Sequence, residues 1–420
     1  MGDFYQNGII TTLHNLGQRP ISEMHQDLIK FSRTRPLGLI LPALFTELEG
    51  KALPLILNEL KTVPYLNQIV IGLDRADENQ YRHALNFFSE LPQHFRILWN
   101  DGPRLKAIDK QLDKLDLAPK EYGTGRNVWY CMGYVLASKK AESVALHDCD
   151  ITTYTKELLA RLIYPVANPQ FNYEFCKGYY ARVANGKING RVSRLLVSPL
   201  IQALKANLGQ MDYLDYMDSF RYPLAGEFSF RRDVLNDIRI PSDWGLEVGV
   251  LSEMYRNYAN NRLCQVDIAD NYDHKHQTLS ANDDTKGLSK MSIDIAKGMF
   301  RKLATQGVIF SQETFRSIKA TYFRKALDVI ENCHNDAIMN GLRLDVHEEE
   351  KAVEMFAQNI IKAGEIFTAV PMERPFMPSW NRVVSAIPDI YDQLTEAVEN
   401  DSREFQASQS VVRPLKRAPR

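Results

Sequence analysis

The run Val144-Ala145-Leu146-His147-Asp148-Cys149-Asp150-Ile151 sets two carboxylates one residue apart behind an apolar stretch. A buried strand that ends in paired acids delivers oxygen-rich side chains to the carboxyl edge of a sheet, where open α/β folds bind ligands. Carboxylates suit hard divalent cations, and magnesium typically takes one or two of them together with phosphate oxygens. The pair is therefore what an enzyme handling a nucleotide-sugar diphosphate needs. By itself an Asp-x-Asp is more often a polar turn after a strand than a site, since Asp is common in turns.

Two further groups have chemistry in their residue types. Phe175 to Arg194 holds Lys177, Arg182, Lys187, Arg191 and Arg194, a basic stretch suited to an anion. Within it Gly190-Arg191-Val192-Ser193 opens a predicted helix, whose N-terminal N–H groups attract negative charge. Arg191 adds a bidentate fork and Ser193 a hydroxyl. Near the end of the second third, Tyr272-Asp273-His274-Lys275-His276 spaces two imidazoles so that an extended segment points both to one side. The plain alternatives are a solvated basic loop and surface histidines.

The elements that must position these groups follow from periodicity. Leu37 to Leu44 is predicted as a buried strand, followed by a helix through Leu53, Ile56, Leu57 and Leu60. A second strand, Gln68 to Leu73, ends at Asp74. A helix from Glu78 to Leu91 then leads to a third strand, Phe95 to Trp99. The helix Val128 to Ser138 precedes the strand carrying the acid pair. Strands alternating with helices predict a doubly wound, mostly parallel sheet. Strands are also expected over Phe175–Val183 and Leu263–Ile268, and helices over Gly190–Leu208 and up to Tyr258. From Leu288 to Thr395 the pattern is helical, broken at Pro371 to Pro378. The polar stretch from Asp401 is predicted to be disordered.

Composition narrows the classes. The 420 residues suffice for a large domain with additions, and 45% hydrophobic with 25% charged content is globular. A net charge of −1 offers no global attraction to nucleic acid or anionic membrane. The five cysteines (131, 149, 176, 264 and 333) form no Cys-x-x-Cys pair, which argues against a disulfide framework and a structural zinc. No apolar run approaches the ~20 residues of a membrane helix, and no signal-peptide pattern opens the chain. A cytoplasmic protein is expected. P-loop and Gly-x-Gly-x-x-Gly signatures are missing after the first strand.

Taken in order, several blocks resemble those of the retaining GT-A glycosyltransferases that make glucosyl-3-phosphoglycerate or its mannosyl relative. They are Pro42-Ala43-Leu44 with Glu47, Gly123 to Trp129, Asp148-Cys149-Asp150, Gly190 to Ser193 with Val197-Ser198-Pro199-Leu200, Gly226-Glu227-Phe228, Gly245 to Gly249, and Gln265-Val266-Asp267 leading to His274. The resemblance implies an α/β GT-A fold, Rossmann-like with a mostly parallel sheet, over residues 36–300. Its nucleotide-sugar half would span 36–150 and its acceptor half 151–300. Residues 1–35 would be an N-terminal segment, 301–400 a helical C-terminal extension that covers the site or forms a homodimer interface, and 401–420 a tail.

The same resemblance assigns roles. Asp150 and His274 would ligate a divalent metal, Mg2+ or Mn2+, with His274 favoured over His276. Asp148 would face the ribose. Pro42, Ala43, Leu44, Glu47 and Asp74 would hold the nucleoside, with Thr124, Gly226 and Glu227 elsewhere in the donor site. Gly190, Arg191 and Ser193 would take the acceptor anion. Glu247 would hydrogen-bond the acceptor hydroxyl and position it; apart from the resemblance, Tyr222 and Trp244 are aromatics able to stack on sugar or base, or to pack in the core. The family's Gly-Lys-Gly is Gly123-Thr124-Gly125 here, and a threonine cannot supply the lysine's charge. Lys120 or Arg126 is the expected substitute. The implied reaction moves glucose from UDP- or GDP-glucose to 3-phosphoglycerate. Its rivals are GDP-mannose as donor, glycerate as acceptor, or a sugar nucleotidyltransferase.

Overall fold

The computed structural model describes residues 8–274, 286–371 and 376–410, the last five by their backbone alone. Its strands are β1 (Thr11–Leu13), β2 (Leu37–Leu44), β3 (Leu66–Asp74), β4 (Phe95–Trp99), β5 (Ser143–Leu146), β6 (Phe175–Tyr180), β7 (Val183–Ala184), β8 (Lys187–Ile188), β9 (Phe228–Arg231) and β10 (Leu263–Ala269). Eight of them form one sheet in the order β1-β10-β6-β9-β5-β2-β3-β4, and β7 and β8 make a separate hairpin. Pairing in the large sheet is parallel except at β9, which runs antiparallel to both β5 and β6.

The strand sequences explain the burial. Leu37-Gly38-Leu39-Ile40-Leu41-Pro42-Ala43-Leu44 is almost continuously apolar, as a parallel strand covered on both faces must be. One face carries helices Ile21–Thr34, Ala52–Leu60, Glu78–Phe88 and Lys156–Ala167, whose apolar residues share a core with β2 and β3. The other carries Pro103–Asp113, Thr124–Ser138, Ser198–Leu208 and Leu246–Asn257. Helix Thr124–Ser138 approaches β3 closely because Gly72 has no side chain. A Cβ there would lie 1.6 Å from Asn127 Oδ1, and Asn127 Nδ2 donates to the Gly72 carbonyl at 2.9 Å.

A step in the sheet makes the crevice. β5 pairs with β2 only from Leu37 to Ile40, and Leu146 ends the pairing. β2 runs on to Leu44 beside β3 alone. Pro42, which lacks an N–H, falls in that overhang, where one flank of the strand has no ladder partner. The chain leaving β5 crosses the gap as His147 to Asp150.

Helices Gln312–Met339 and Val346–Ala369 pack on each other and on the wall of the sheet domain in one continuous core. Three findings depart from the sequence reading. β1 is an edge strand of the large sheet, so the first 35 residues supply a sheet element. Helix Thr124–Ser138 starts four residues before Val128. Residues 401–410, expected to be disordered, continue helix Ile390–Ser410. The polar run there is an interface: Arg104 pairs with Asp401 and Glu404, and Phe405 packs edge-on against Tyr81 and Trp99. Residues 411–420 lie outside the described residues.

Candidate active site

A cavity of about 1330 Å³ opens over the overhang of β2. It is lined by Pro42, Ala43, Leu44, Glu47, Asp74, Thr124, Asp148, Asp150, Gly190, Arg191, Ser193, Gly226, Glu247 and His274. Residues separated by more than 200 positions thus meet in one space. Of the residues singled out by sequence, Lys120, Lys177, Arg194 and Glu227 do not line it, and His276 lies outside the described residues.

Beside β2, Glu47 accepts a hydrogen bond from the Leu44 N–H at 3.0 Å, so one of its oxygens fixes the turn that follows β2. Asp74 is 8% exposed at the end of β3 and accepts from Asn100 Nδ2 at 2.6 Å. Burial pushes its carboxyl up to about 6, against the Asn100 hydrogen bond that favours the anion. Thr124 is exposed at the first turn of its helix. Of the two expected substitutes for the family lysine, Arg126 lines the cavity and Lys120 does not. Arg126 is 2% exposed and bound to Asp109, and Lys120 faces Asp116 at 3.6 Å. Arg75, with a left-handed φ of 56°, lines the cavity as well.

The centre of the cavity is acidic. Burial, then Asp150, Glu227, Glu247 and Glu47 in that order, push Asp148 well above the carboxylate range. Gly226 leaves it room: a Cβ at that position would stand 2.7 Å from Asp148 Oδ2. Asp150 Oδ2 lies 3.7 Å from His274 Nδ1, while its Oδ1 is buried without a hydrogen-bond partner among the described residues. An orphaned carboxylate oxygen beside an imidazole, amid crowded acids, fits a divalent cation. The described residues hold no group of three or more His, Cys, Asp or Glu side chains arranged for a metal.

Glu247 sits in the first turn of helix Leu246–Asn257, and burial pushes its carboxyl up. Glu227 is fully buried behind the wall, accepting from Tyr180 at 2.9 Å and from Tyr272. Its donor-site placement is therefore corrected. It is the acid that braces two stacked tyrosines, whose rings lie 3.6 Å apart. Lys177, counted among the anion-binding residues, is likewise buried and donates to the Ala225 carbonyl at 2.6 Å. Burial pushes its ammonium down. It holds the segment before Gly226.

On the basic wall, Gly190 has φ +78°, and the chain enters a π-helical turn, Val192–Val197, that continues as Ser198–Leu208. The Ser193 hydroxyl is buried with no hydrogen-bond partner among the described residues. Arg191 Nε meets Glu349 at 2.9 Å, and Arg194 meets the same carboxylate at 2.9 Å. Tyr222 and Trp244 also line the cavity. Sequence reasoning did not anticipate Arg75, Asp243, His334, Arg343 or Glu349. Of these, the last three sit in the helical region and reach the cavity from more than 140 positions beyond Arg191. No local pattern announces that contact.

No protein-family model matches the chain. The glucosyl-3-phosphoglycerate synthase of Persephonella marina is 45% identical over 402 residues, covering 96% of this chain and 99% of that protein. That of Methanococcoides burtonii is 39% identical over 411 residues, with coverage of 96% and 99%. The crystal structure of glucosyl-3-phosphoglycerate synthase from Mycobacterium tuberculosis with Mn2+, uridine diphosphate and glucosyl-3-phosphoglycerate matches with a TM-score of 0.51 at 17% identity. It covers 72% of this chain and 89% of that one. That likeness is one of fold, the GT-A fold expected from the sequence.

Proposed function

The chain belongs to the glucosyl-3-phosphoglycerate synthase family, and on that premise we propose that it transfers glucose from a nucleoside-diphosphate donor to 3-phosphoglycerate. One observation carries the reading beyond membership: acids for a diphosphate–metal site and a basic, hydroxyl-bearing turn for an anion face one cavity. The donor's nucleoside lies against Pro42, Ala43, Leu44 and Asp74, with Asp148 at the ribose. Asp150 and His274 hold the family's Mg2+ or Mn2+, which when bound neutralises the diphosphate and stabilises it as a leaving group.

The acceptor's phosphate sits at Gly190, Arg191 and Ser193, where backbone N–H, guanidinium and hydroxyl donors converge. That leaves its single hydroxyl toward Glu247. Glu247 accepts the hydroxyl's hydrogen bond and orients the oxygen for attack on the anomeric carbon. The new bond joins that carbon to the acceptor oxygen, the bond to the diphosphate breaks, and the acceptor proton passes to the departing diphosphate. Attack from the face the diphosphate leaves retains the configuration. Tyr222 and Trp244 offer apolar faces to the sugar.

A cytoplasmic location is part of the reading, supported by five unpaired cysteines. No described helix is long and apolar enough to cross a membrane. The test is purified protein with UDP- or GDP-glucose, 3-phosphoglycerate and Mg2+ or Mn2+, assayed for nucleoside diphosphate release. Acceptor-dependent release is expected. No release from any pairing overturns the reading.

A further inference from the structure

The basic turn of the anion site is not free-standing. Between β7 and β8 the chain turns through Asn185 and Gly186, with φ of +53° and +69°, the geometry of a two-residue hairpin that closes rigidly. Arg182 stands at the base of this hairpin, its carbonyl accepting from the Asn189 N–H at 2.8 Å. Asn189-Gly190-Arg191 leaves it for the π-helical turn. The tip is held from outside the sheet domain. Arg343, in the turn between helices Gln312–Met339 and Val346–Ala369, donates its N–H to the Gly186 carbonyl at 2.8 Å and bridges Lys187.

The second hold is on the charges. Glu349, 3% exposed, accepts a hydrogen bond from Arg191 Nε at 2.9 Å and forms an ion pair with Arg194 Nη1 at 2.9 Å. Arg194 is tied back further, its Nε donating to the Asn189 carbonyl at 2.9 Å. A buried carboxylate between two guanidiniums fixes their planes and cancels part of their repulsion. Beside them the buried Ser193 hydroxyl keeps an unused hydrogen-bonding capacity. Arg191 is the one of the pair that lines the cavity.

We propose that the C-terminal helical region is a working part of the acceptor-anion site, with Glu349 as the positioning residue that aims Arg191 into the cavity. The inference rests on the proposed function, because it takes the anion at this site to be the acceptor's phosphate. Glu349 borders the cavity, but a carboxylate would repel the acceptor's anion rather than bind it. It acts through the two arginines, and the clamp of Arg343 on Gly186 keeps the hairpin in register with them.

Two variants separate position from charge. Glu349→Gln keeps the shape but turns an amide N–H toward arginine donors, which cannot accept it. Glu349→Asp keeps the charge and shortens the reach by one methylene. With wild type, each is assayed for the acceptor KM, the donor KM, kcat and Tm, with 3-phosphoglycerate and the nucleotide sugar as the two substrates. Both variants are expected to raise the acceptor KM, roughly tenfold for Gln, the loss of one charge-assisted hydrogen bond, and less for Asp. The donor KM stays within about twofold. If Glu349 acted only through its field, Gln would lower the acceptor KM and Asp would leave it unchanged, and either result overturns the inference. Should the Gln variant fail to fold, the Asp variant decides by the same criterion. Wild-type protein that is inactive with 3-phosphoglycerate would instead refute the functional reading.

Discussion

Asp150 Oδ2 and His274 Nδ1 lie 3.7 Å apart, too far for a hydrogen bond and close enough for one cation to bind both. One group follows β5 and the other follows β10, which are not neighbours in the sheet. Asp150→Ala is therefore expected to abolish metal-dependent transfer. His274→Ala is expected to raise the Mn2+ concentration needed for half-maximal activity by at least about tenfold, as loss of a ligand or its support does. A Mn2+ titration of activity, with binding followed by electron paramagnetic resonance, checks both.

On the proposed reading Arg191 binds the acceptor's phosphate. Arg191→Ala removes a charge-assisted bond of about 1.5–3 kcal/mol, so the acceptor KM should rise roughly ten- to hundredfold. The donor KM should hold. An unchanged acceptor KM would move the phosphate elsewhere in the cavity.

Gly226 is needed for space. Its Cβ position is 2.7 Å from Asp148 Oδ2 and 3.1 Å from the carboxyl carbon. Gly226→Ala must displace a hemmed-in acid, at a cost of about 1–3 kcal/mol for overpacking. The expected result is a kcat lowered at least tenfold with a folded protein by circular dichroism.

Asp74 titrates in a working range. Its folded carboxyl is pushed up to about 6 by burial, above the ordinary 3.8. Folding therefore takes up a proton between those values. The group's stabilising contribution is full below the unfolded pKa and is lost as pH rises through 6. Between pH 5 and pH 8 wild type should lose about 1 kcal/mol from this group. Asp74→Asn, which still accepts from Asn100, should lose none of it. Thermal melts of both proteins without ligands at the two pH values measure the difference.

Phe405 tests the last helix. It is 4% exposed between Tyr81, Trp99 and the Arg82 guanidinium. Phe405→Ala should cost about 3–5 kcal/mol, read as a lowered denaturant midpoint. A tail that contributed nothing would leave the midpoint in place.

Much of this was legible along the chain. The strand over Leu37–Leu44 and the strand over Phe95–Trp99 fall where apolar runs put them, because a strand covered on both faces must be apolar throughout. β9 was harder to read: Phe228–Arg231 is four residues long and antiparallel in a parallel neighbourhood, so no period marks it. The polar run at 401–410 misled for another reason. Charge along a helix face looks the same whether it meets water or Arg104, and only the partner distinguishes them.

The sequence alone determined which chemistries were present: paired acids after a strand, a basic turn opening a helix, a carboxylate after Gly245, a histidine past the last strand. Those are properties of residue type and local spacing. Tertiary structure decided which of them share a space and which face inward. Glu227 and Glu247 read alike in sequence, yet one braces two buried tyrosines and the other lines the cavity. Thr124 read as a missing charge, and the fold puts Arg126 in the cavity lining while pairing it with Asp109. Glu349 gave no sign at all, because its partner lies 158 positions away, and such pairings are set by how helices dock rather than by any pattern along the chain.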